Sequence, residues 1–381
     1  MKAKEDATEL LAQKKDLESK KKDFTEKEQK KDKTLCTNVN KIGNIVHNSV
    51  PISKTEDGNE VVCTHFVDGV ELKQQPTMRS HSDVLYLLGG FDPNHGAKVA
   101  RHRGYFLTGA GVDLNLALIN YGLLFLGKHG YTKIQMPYFM CRDMMAKTAQ
   151  LSQYDEELYK ILGDGDSDDK YLIATSEQPI SAFHSGKWFE KPSEQLPLKY
   201  AGYSTCFCKG AGTHSKVSSG IFRIHQFEKV KQFVITEPEK SWEMFDEMIG
   251  MSEDFFKSLG ISYCMVLIVS GALNDAAAMK YDLEAWFPFQ GQYLELVSCS
   301  NCTDYQLRNL EIQCGTKKMG NHEKKYIHLL NLTLCATEHA LCCLIENHQT
   351  PKGLWIPEVL IPFMGSVDFI PYIKDTVPEH V

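Results

Sequence analysis

Apolar residues fall into two regimes along this chain. From Met1 to Lys41 they are sparse: Leu10, Leu17 and Phe24 recur every seven residues, and Leu35, Val39, Ile42 and Val46 follow at helical spacing. No Gly or Pro interrupts that stretch, and Lys and Glu dominate it, so the pattern predicts one long polar helix ended by Gly43. Its apolar seam is too thin to hold a lone helix. That predicts one strand of a coiled coil in want of a partner, while a solvated charged face beside a loop accounts for the same residues.

Beyond Gly43 the pattern changes. Ser49-Val50-Pro51 and Glu56-Asp57-Gly58-Asn59 read as an extended linker, and Val61 to Arg103 as irregular, with Gly89-Gly90 and Asp92-Pro93 as breakers. This divides the chain into a helix over 1–46, a linker and irregular segment over 47–103, and a continuous globular domain over 104–381. Leu114, Leu118, Tyr121 and Leu124 mark a helix in that domain, and Gly130 to Pro137 reads as a strand stopped by proline. Strand-like runs follow at Tyr171–Ala174, Lys199–Phe207, Ile221–Phe227, Lys231–Ile235, Met265–Val269 and Tyr293–Val297, with helices around Trp242–Leu259 and His328–Asn347. Hairpin-length gaps between strands predict an α+β fold, an antiparallel sheet flanked by helices.

Composition narrows the classes. The 381 residues are 43% hydrophobic and 24% charged, ordinary globular values that exclude a disordered chain. No unbroken apolar run of about 18 residues or more predicts a membrane span, and the charged N-terminus lacks a secretory core, so a cytoplasmic location is expected. Twelve scattered cysteines in that setting should stay reduced. The net charge of -7 is uneven: eleven Lys face nine acids between Met1 and Lys33, leaving 31 basic and 40 acidic residues in the rest. Any contact with nucleic acid must therefore be local.

Three segments carry candidate chemistry. Tyr200–Phe207, a Gly-containing loop from Cys208 to Gly220 and Ile221–Lys231 are two strands around a polar loop, which equally describes a plain hairpin. Glu295 to Cys302 contains Cys299-x-x-Cys302, but a zinc site needs four ligands and no second pair stands at suitable spacing, so no structural zinc is expected. Leu330 to Thr337 runs into a helix bearing Glu338 and His339, and a lone His there is by default a surface or half-buried side chain.

Together these segments resemble the eukaryotic cytosolic seryl-tRNA synthetases, class II aminoacyl-tRNA synthetases. Tyr171-Leu-Ile-Ala-Thr-Ser-Glu-Gln-Pro179 looks like the family's serine-pocket loop, and Gly130–Pro137 like its first, dimer-forming motif. Tyr200–Lys231 is similar to the second motif, and Glu295–His339 spans the third. Arg103–Phe106, Leu151–Asp155, Asp282–Pro288 and Ser300–Tyr305 also read like the family, and the likeness runs from about Lys41 to Pro371. It implies a class II synthetase core and the reaction of ATP, L-serine and tRNA(Ser) to seryl-tRNA through seryl-adenylate. It further implies Mg²⁺ with ATP, a homodimer, and half of a tRNA-binding coiled-coil arm.

Carried over position by position, Thr175, Glu177 and Asn331 match serine contacts. Ile224, His225, Gln226 and Phe227 match the stretch beneath the adenine, with Phe227 as its stacking ring. Glu295, Leu296, Val297 and Ser298 match the ATP-binding strand, with Glu295 and Ser298 as the Mg²⁺-ATP ligands. Those two stand three apart and would face opposite sides of a regular strand, so convergence predicts a bulge. Fold maintenance accounts for the same residues: Phe227 as core, Glu295 as an ordinary paired acid.

The departures fall on charged ligands. The Arg that the family sets on the α-phosphate is matched by Cys208, and its neighbouring Glu by Gly210. Lys209, next to Cys208, would face the other side of a strand. A Glu that receives the serine ammonium is matched by Lys231, and two like charges about 4 Å apart cost about 4 kcal/mol at an effective dielectric of about 20. The Arg on the ATP tail is matched by His339, which cannot fork onto phosphate. Three readings follow: an active synthetase with an unusual site, a silent paralogue acting through dimerisation (including a heterodimer with an active synthetase) or through RNA or protein binding, and a non-functional gene copy.

Overall fold

The computed structural model describes residues 8–39, 42–69, 72–75, 77–148, 158–165, 168–209, 220–315 and 325–377. Leu151–Asp155, Gly210 and most of the loop up to Gly220 lie outside the described residues. The chain divides into two compact units, Met1–Gly43 and Asn44–Val381.

The first unit is a single helix, α1 (Thr8–Val39), about 48 Å long at helical rise. Its ion pairs run at i,i+4, Lys14 with Glu18 at 3.7 Å and Lys20 with Asp16 at 2.6 Å. Leu17, Phe24 and Leu35 are exposed within this unit, as the thin seam predicts.

The second unit is built on an eight-stranded sheet. In chain order its strands are β1 (Glu60–His65), β2 (Thr132–Gln135), β3 (Leu198–Phe207), β4 (Gln226–Thr236), β5 (Tyr263–Leu267), β6 (Met279–Phe287), β7 (Gln292–Asn301) and β8 (His328–Ala336). They lie in the order β1-β5-β6-β7-β8-β4-β3-β2, all antiparallel except the β2–β3 edge pair. The helices used below are α2 (His81–Leu87), α3 (Pro93–Ala100), α4 (Ala110–Lys128), α5 (Glu177–Phe183), α6 (Ser241–Ser258) and α7 (Thr337–His348).

Period-two alternation along β4 sorts the two faces. Val230 and Val234 enter the larger apolar cluster, formed with α4, α6 and α7, and Gln232 bonds to Met248 O and Ser252 of α6. Phe233 and Ile235 enter a second cluster on the opposite face, which includes Ile180 of α5. Lys231 shares their phase. The amphipathic α4 is long and apolar enough to cross a bilayer, yet Leu114, Leu118 and Leu126 are fully buried in the larger cluster.

Four expectations change. The stretch read as linker and irregular contains β1, α2 and α3, each six to eight residues long and too short to show periodicity. Ser80 and Asp92 cap the two helices, accepting from the N–H groups of Asp83 and His95. The runs Ile221–Phe227 and Lys231–Ile235 give one strand, β4, with Ile221–His225 outside it. Lys229 and Lys231 broke the apparent run although both sit in the ladder. The helix expected over His328–Asn347 is a strand to Ala336 and a helix from Thr337: Leu330, Leu332 and Leu334 alternate with Asn331 and Thr333 at period two, the strand signal, and that alternation ends before the helix begins. β6 was not anticipated as a strand.

Candidate active site

A cavity of about 290 Å³ opens over the centre of the sheet. In the β6–β7 ladder Leu283 faces Val297 while Glu284 faces Glu295, so Leu296 is an extra residue on β7. That bulge is the one required by the spacing of Glu295 and Ser298, and both line the cavity. Leu296 lines it too, and both Leu296 and Val297 belong to the larger core cluster, Val297 without reaching the cavity.

Phe227 stands at the cavity wall near the start of β4, with the Lys229 amine 5.0 Å from its ring centroid. Ile224 lines the same cavity, but His225 and Gln226 do not. They face a separate cavity of about 600 Å³ beside Glu228, Glu338 and Tyr159. There the His225 ring stands 3.0 Å from the Tyr159 hydroxyl and 3.1 Å from Cys208 O. The four-residue stretch is thus split between two cavities, with Phe227 bordering both.

Cys208, just after β3, and His339, on α7, both line the smaller cavity. β3 ends at Phe207, so Cys208 and Lys209 follow the strand and the alternation argument against Lys209 does not govern them. The Cys208 N–H donates to His225 O at 3.0 Å. His339 lies flat on Phe222, and burial, with Lys229 next, brings its imidazole down to about 4.

Lys231 is not among the cavity's lining residues. It is 4% exposed, with its ammonium 2.6 Å from the Glu177 carboxylate and donating to Asn331 Oδ1 at 2.9 Å. The Thr175 hydroxyl donates to the same Glu177 carboxylate. Gly202 pairs with Lys231 across β3 and β4. A Cβ there would stand 2.5 Å from Ile180 Cδ1 and 3.2 Å from Ser176 Oγ, so the glycine leaves room for the Ile180 side chain of α5, the helix that carries Glu177, against the sheet. Burial raises the Glu177 carboxyl, but Lys231 and Thr175 outweigh it and hold it below the usual carboxylate range. Burial lowers the Lys231 amine, with Glu177 opposing. The two form a buried ion pair.

An acidic group beside the bulge was missed at the sequence level. Asp282 pairs with Lys280 at 2.7 Å and bonds to Ser298, and burial followed by the nearby Glu295 lifts its carboxyl to about 7. Its signal was the Asp282-x-Glu284 alternation on β6, unreadable until β6 was known to adjoin β7. Cys299 is buried on β7 and Cys302 accepts from Asn331 Nδ2 at 3.4 Å.

A mostly antiparallel sheet with a bulged central strand, a helix running on from its neighbour and a cleft between them defines the class II synthetase core. Residues 159–348 match the family model described as tRNA synthetase class II core domain (G, H, P, S and T). The chain is 62% identical over 375 residues to the cytoplasmic serine–tRNA ligase of Schizosaccharomyces pombe, covering 98% of this chain and 83% of that one. Among solved structures, the cytoplasmic serine–tRNA ligase of Naegleria fowleri in complex with AMP is 50% identical with a TM-score of 0.84, covering 94% of this chain and 82% of that one. The seryl-tRNA synthetase of Pyrococcus horikoshii complexed with ATP is 35% identical with a TM-score of 0.84, covering 97% and 85%. The chain belongs to the serine–tRNA ligase family.

Proposed function

We propose that this chain serves serine–tRNA ligation in the cytoplasm as a homodimer, at a rate far below that of its relatives. The reaction is attack of the serine carboxylate on the α-phosphate of ATP with loss of pyrophosphate, then transfer of the seryl group to the terminal ribose of tRNA(Ser) with loss of AMP. The observation that carries this reading is the convergence of Phe227, Glu295 and Ser298 on one cavity through the Leu296 bulge, beside the Glu177–Asn331–Thr175 cluster.

The residues divide the work. Phe227 gives the adenine a stacking face, with Ile224 and Leu296 as apolar walls. Glu295 and Ser298 suit a hard cation held mainly by phosphate oxygens, since Mg²⁺ typically takes only one or two carboxylates from protein. When bound with ATP, Mg²⁺ would neutralise phosphate charge there. Thr175, Glu177 and Asn331 form the serine subsite. The helix α1 stands for the tRNA-binding arm. The cytoplasmic location rests on the names of the relatives, and the dimer on the apolar outer face of α4.

The substituted groups set the rate. Cys208 provides no donor fork for the α-phosphate, and removal of one preorganised donor costs about a hundred- to thousandfold. Serine-dependent exchange of pyrophosphate into ATP tests the proposal. Exchange above a serine-free control, but at least about a hundredfold below a turnover of about 10 per second, is expected. A second reading, a silent paralogue acting through a partner subunit, is favoured by the Lys231–Glu177 pair. ATP binding with no serine-dependent exchange would establish it instead.

A further inference from the structure

We infer that Lys231 is an internal occupant of the amino-acid subsite, a tethered primary ammonium that fills the place of the substrate's own. The inference rests on reading Thr175, Glu177 and Asn331 as that subsite, and its geometry stands apart from any activity. A free amino acid presents one ammonium that needs an anion, a neutral acceptor and seclusion from water. Here one Lys231 side chain has all three: Glu177 at 2.6 Å, Asn331 Oδ1 at 2.9 Å and 4% exposure. The acceptors that would receive a ligand are already satisfied from within.

Sequence alone suggests that Lys231 repels serine. The structure gives a different relationship, which is competition. With Lys231 paired, the subsite carries no net charge, so an incoming ammonium finds no unspent anion. To bind, serine must break a buried ion pair and leave Lys231 without a partner, and such rupture is strongly unfavourable. The adenine cavity does not include Lys231 among its walls, so nucleotide is not excluded by the same contact. The site is therefore one that takes a nucleotide while holding its amino-acid half shut by an autoinhibitory side chain. It also becomes a latent receptor for small primary ammonium ions.

Truncation tests this directly. Lys231→Ala removes three carbons and the nitrogen, the outline of n-propylammonium, and leaves Glu177 and Asn331 facing the vacated space. Propylammonium chloride at millimolar concentration should raise the melting midpoint of Lys231→Ala by about 2 °C or more over equal sodium chloride. The unmodified protein and Lys231→Met, which keeps the volume, should respond to the two salts alike. If Lys231→Ala does not fold by itself, its refolding yield in propylammonium against sodium chloride gives the same answer. Equal response of Lys231→Ala to both salts, in melting or in refolding, overturns the inference. Because no serine, ATP or tRNA enters the assay, failure here is distinct from failure of the ligase reading. That reading stands or falls on pyrophosphate exchange.

Discussion

His339 lies parallel to Phe222, ring centroids 4.4 Å apart and planes inclined by 11°, so the first turn of α7 presents a neutral aromatic surface to the nucleotide cavity. The stack explains why a histidine is tolerated there: its imidazole buries against a ring and sheds its charge. It also fixes what the residue cannot do. A neutral imidazole held flat against Phe222 offers no cationic fork to the outer phosphates of ATP.

Glu338 and His339, adjacent in the chain, should tilt stability in opposite directions with pH. Burial lifts the Glu338 carboxyl from 4.5 to about 7, so its contribution is complete below 4.5 and drains away as pH rises through 7. Burial lowers His339 from 6.5 to about 4, so its contribution is complete above 6.5 and is lost as pH falls to 4. Relative to the unmodified protein, Glu338→Gln should therefore gain stability from pH 5 to 7, and His339→Gln from pH 6.5 down to 4. Each gain approaches at most about 1.4 kcal/mol per pH unit. Urea midpoints measured across pH 4–8 check both signs, and parallel curves for the three proteins would refute the assignment.

Breaking the Lys231–Glu177 pair from one side should be costly. Glu177→Met or Lys231→Met alone should destabilise the protein by about 3–5 kcal/mol, since each strands a buried charge. The double replacement should cost less than the two singles together, with a coupling of about 1–3 kcal/mol. Chemical denaturation of the four proteins completes the cycle. Additive losses would mean the two charges do not interact in solution.

Assembly is predicted from the outer face of α4. Val112, Leu116 and Leu124 are exposed there, 38%, 48% and 40%, along one stripe of a helix whose other face is core. Such a stripe suits a twofold contact with a second copy. Light scattering at micromolar concentration should give a dimer, and Leu116→Arg a folded monomer. A monomeric unmodified protein would count against the interface.

Restoring full activity should need concerted change. Cys208→Arg, Gly210→Glu, Lys231→Glu and His339→Arg together should raise serine-dependent pyrophosphate exchange by about a hundredfold or more, while single changes do little. Cys208→Arg alone still meets a shut serine subsite, and Lys231→Glu alone opens that subsite beside an α-phosphate lacking its cation. A single replacement giving the full gain would show that the groups do not act as a unit.

Much of this was legible in the residues. Glu295 and Ser298, three apart, demanded a bulge, and the register slips by one residue at Leu296. The hidden part was relational. That His225 and Gln226 turn away from the cavity holding Glu295 and Ser298 depends on where β4 begins, and that Lys231 meets Glu177 depends on a helix that no periodicity places against β4. Short capped helices such as α2 and α3 escaped because periodicity needs more turns than they possess.

The Leu296 bulge separates what this cleft can exchange from what it cannot. Side chains at 208 and 339 can be exchanged with the ladder around them unmoved, whereas Lys231 can be exchanged only together with Glu177, its buried partner. Adding a residue to β7 between Leu296 and Ser298 would instead reverse the phase beyond it, turning Ser298 to the opposite face from Glu295. The backbone thus fixes the address of each ligand while leaving its chemistry open. A combinatorial library confined to 208 and 339, with 231 varied only as a pair with Glu177, would sample new recognition chemistries while the register of β7 stays in place.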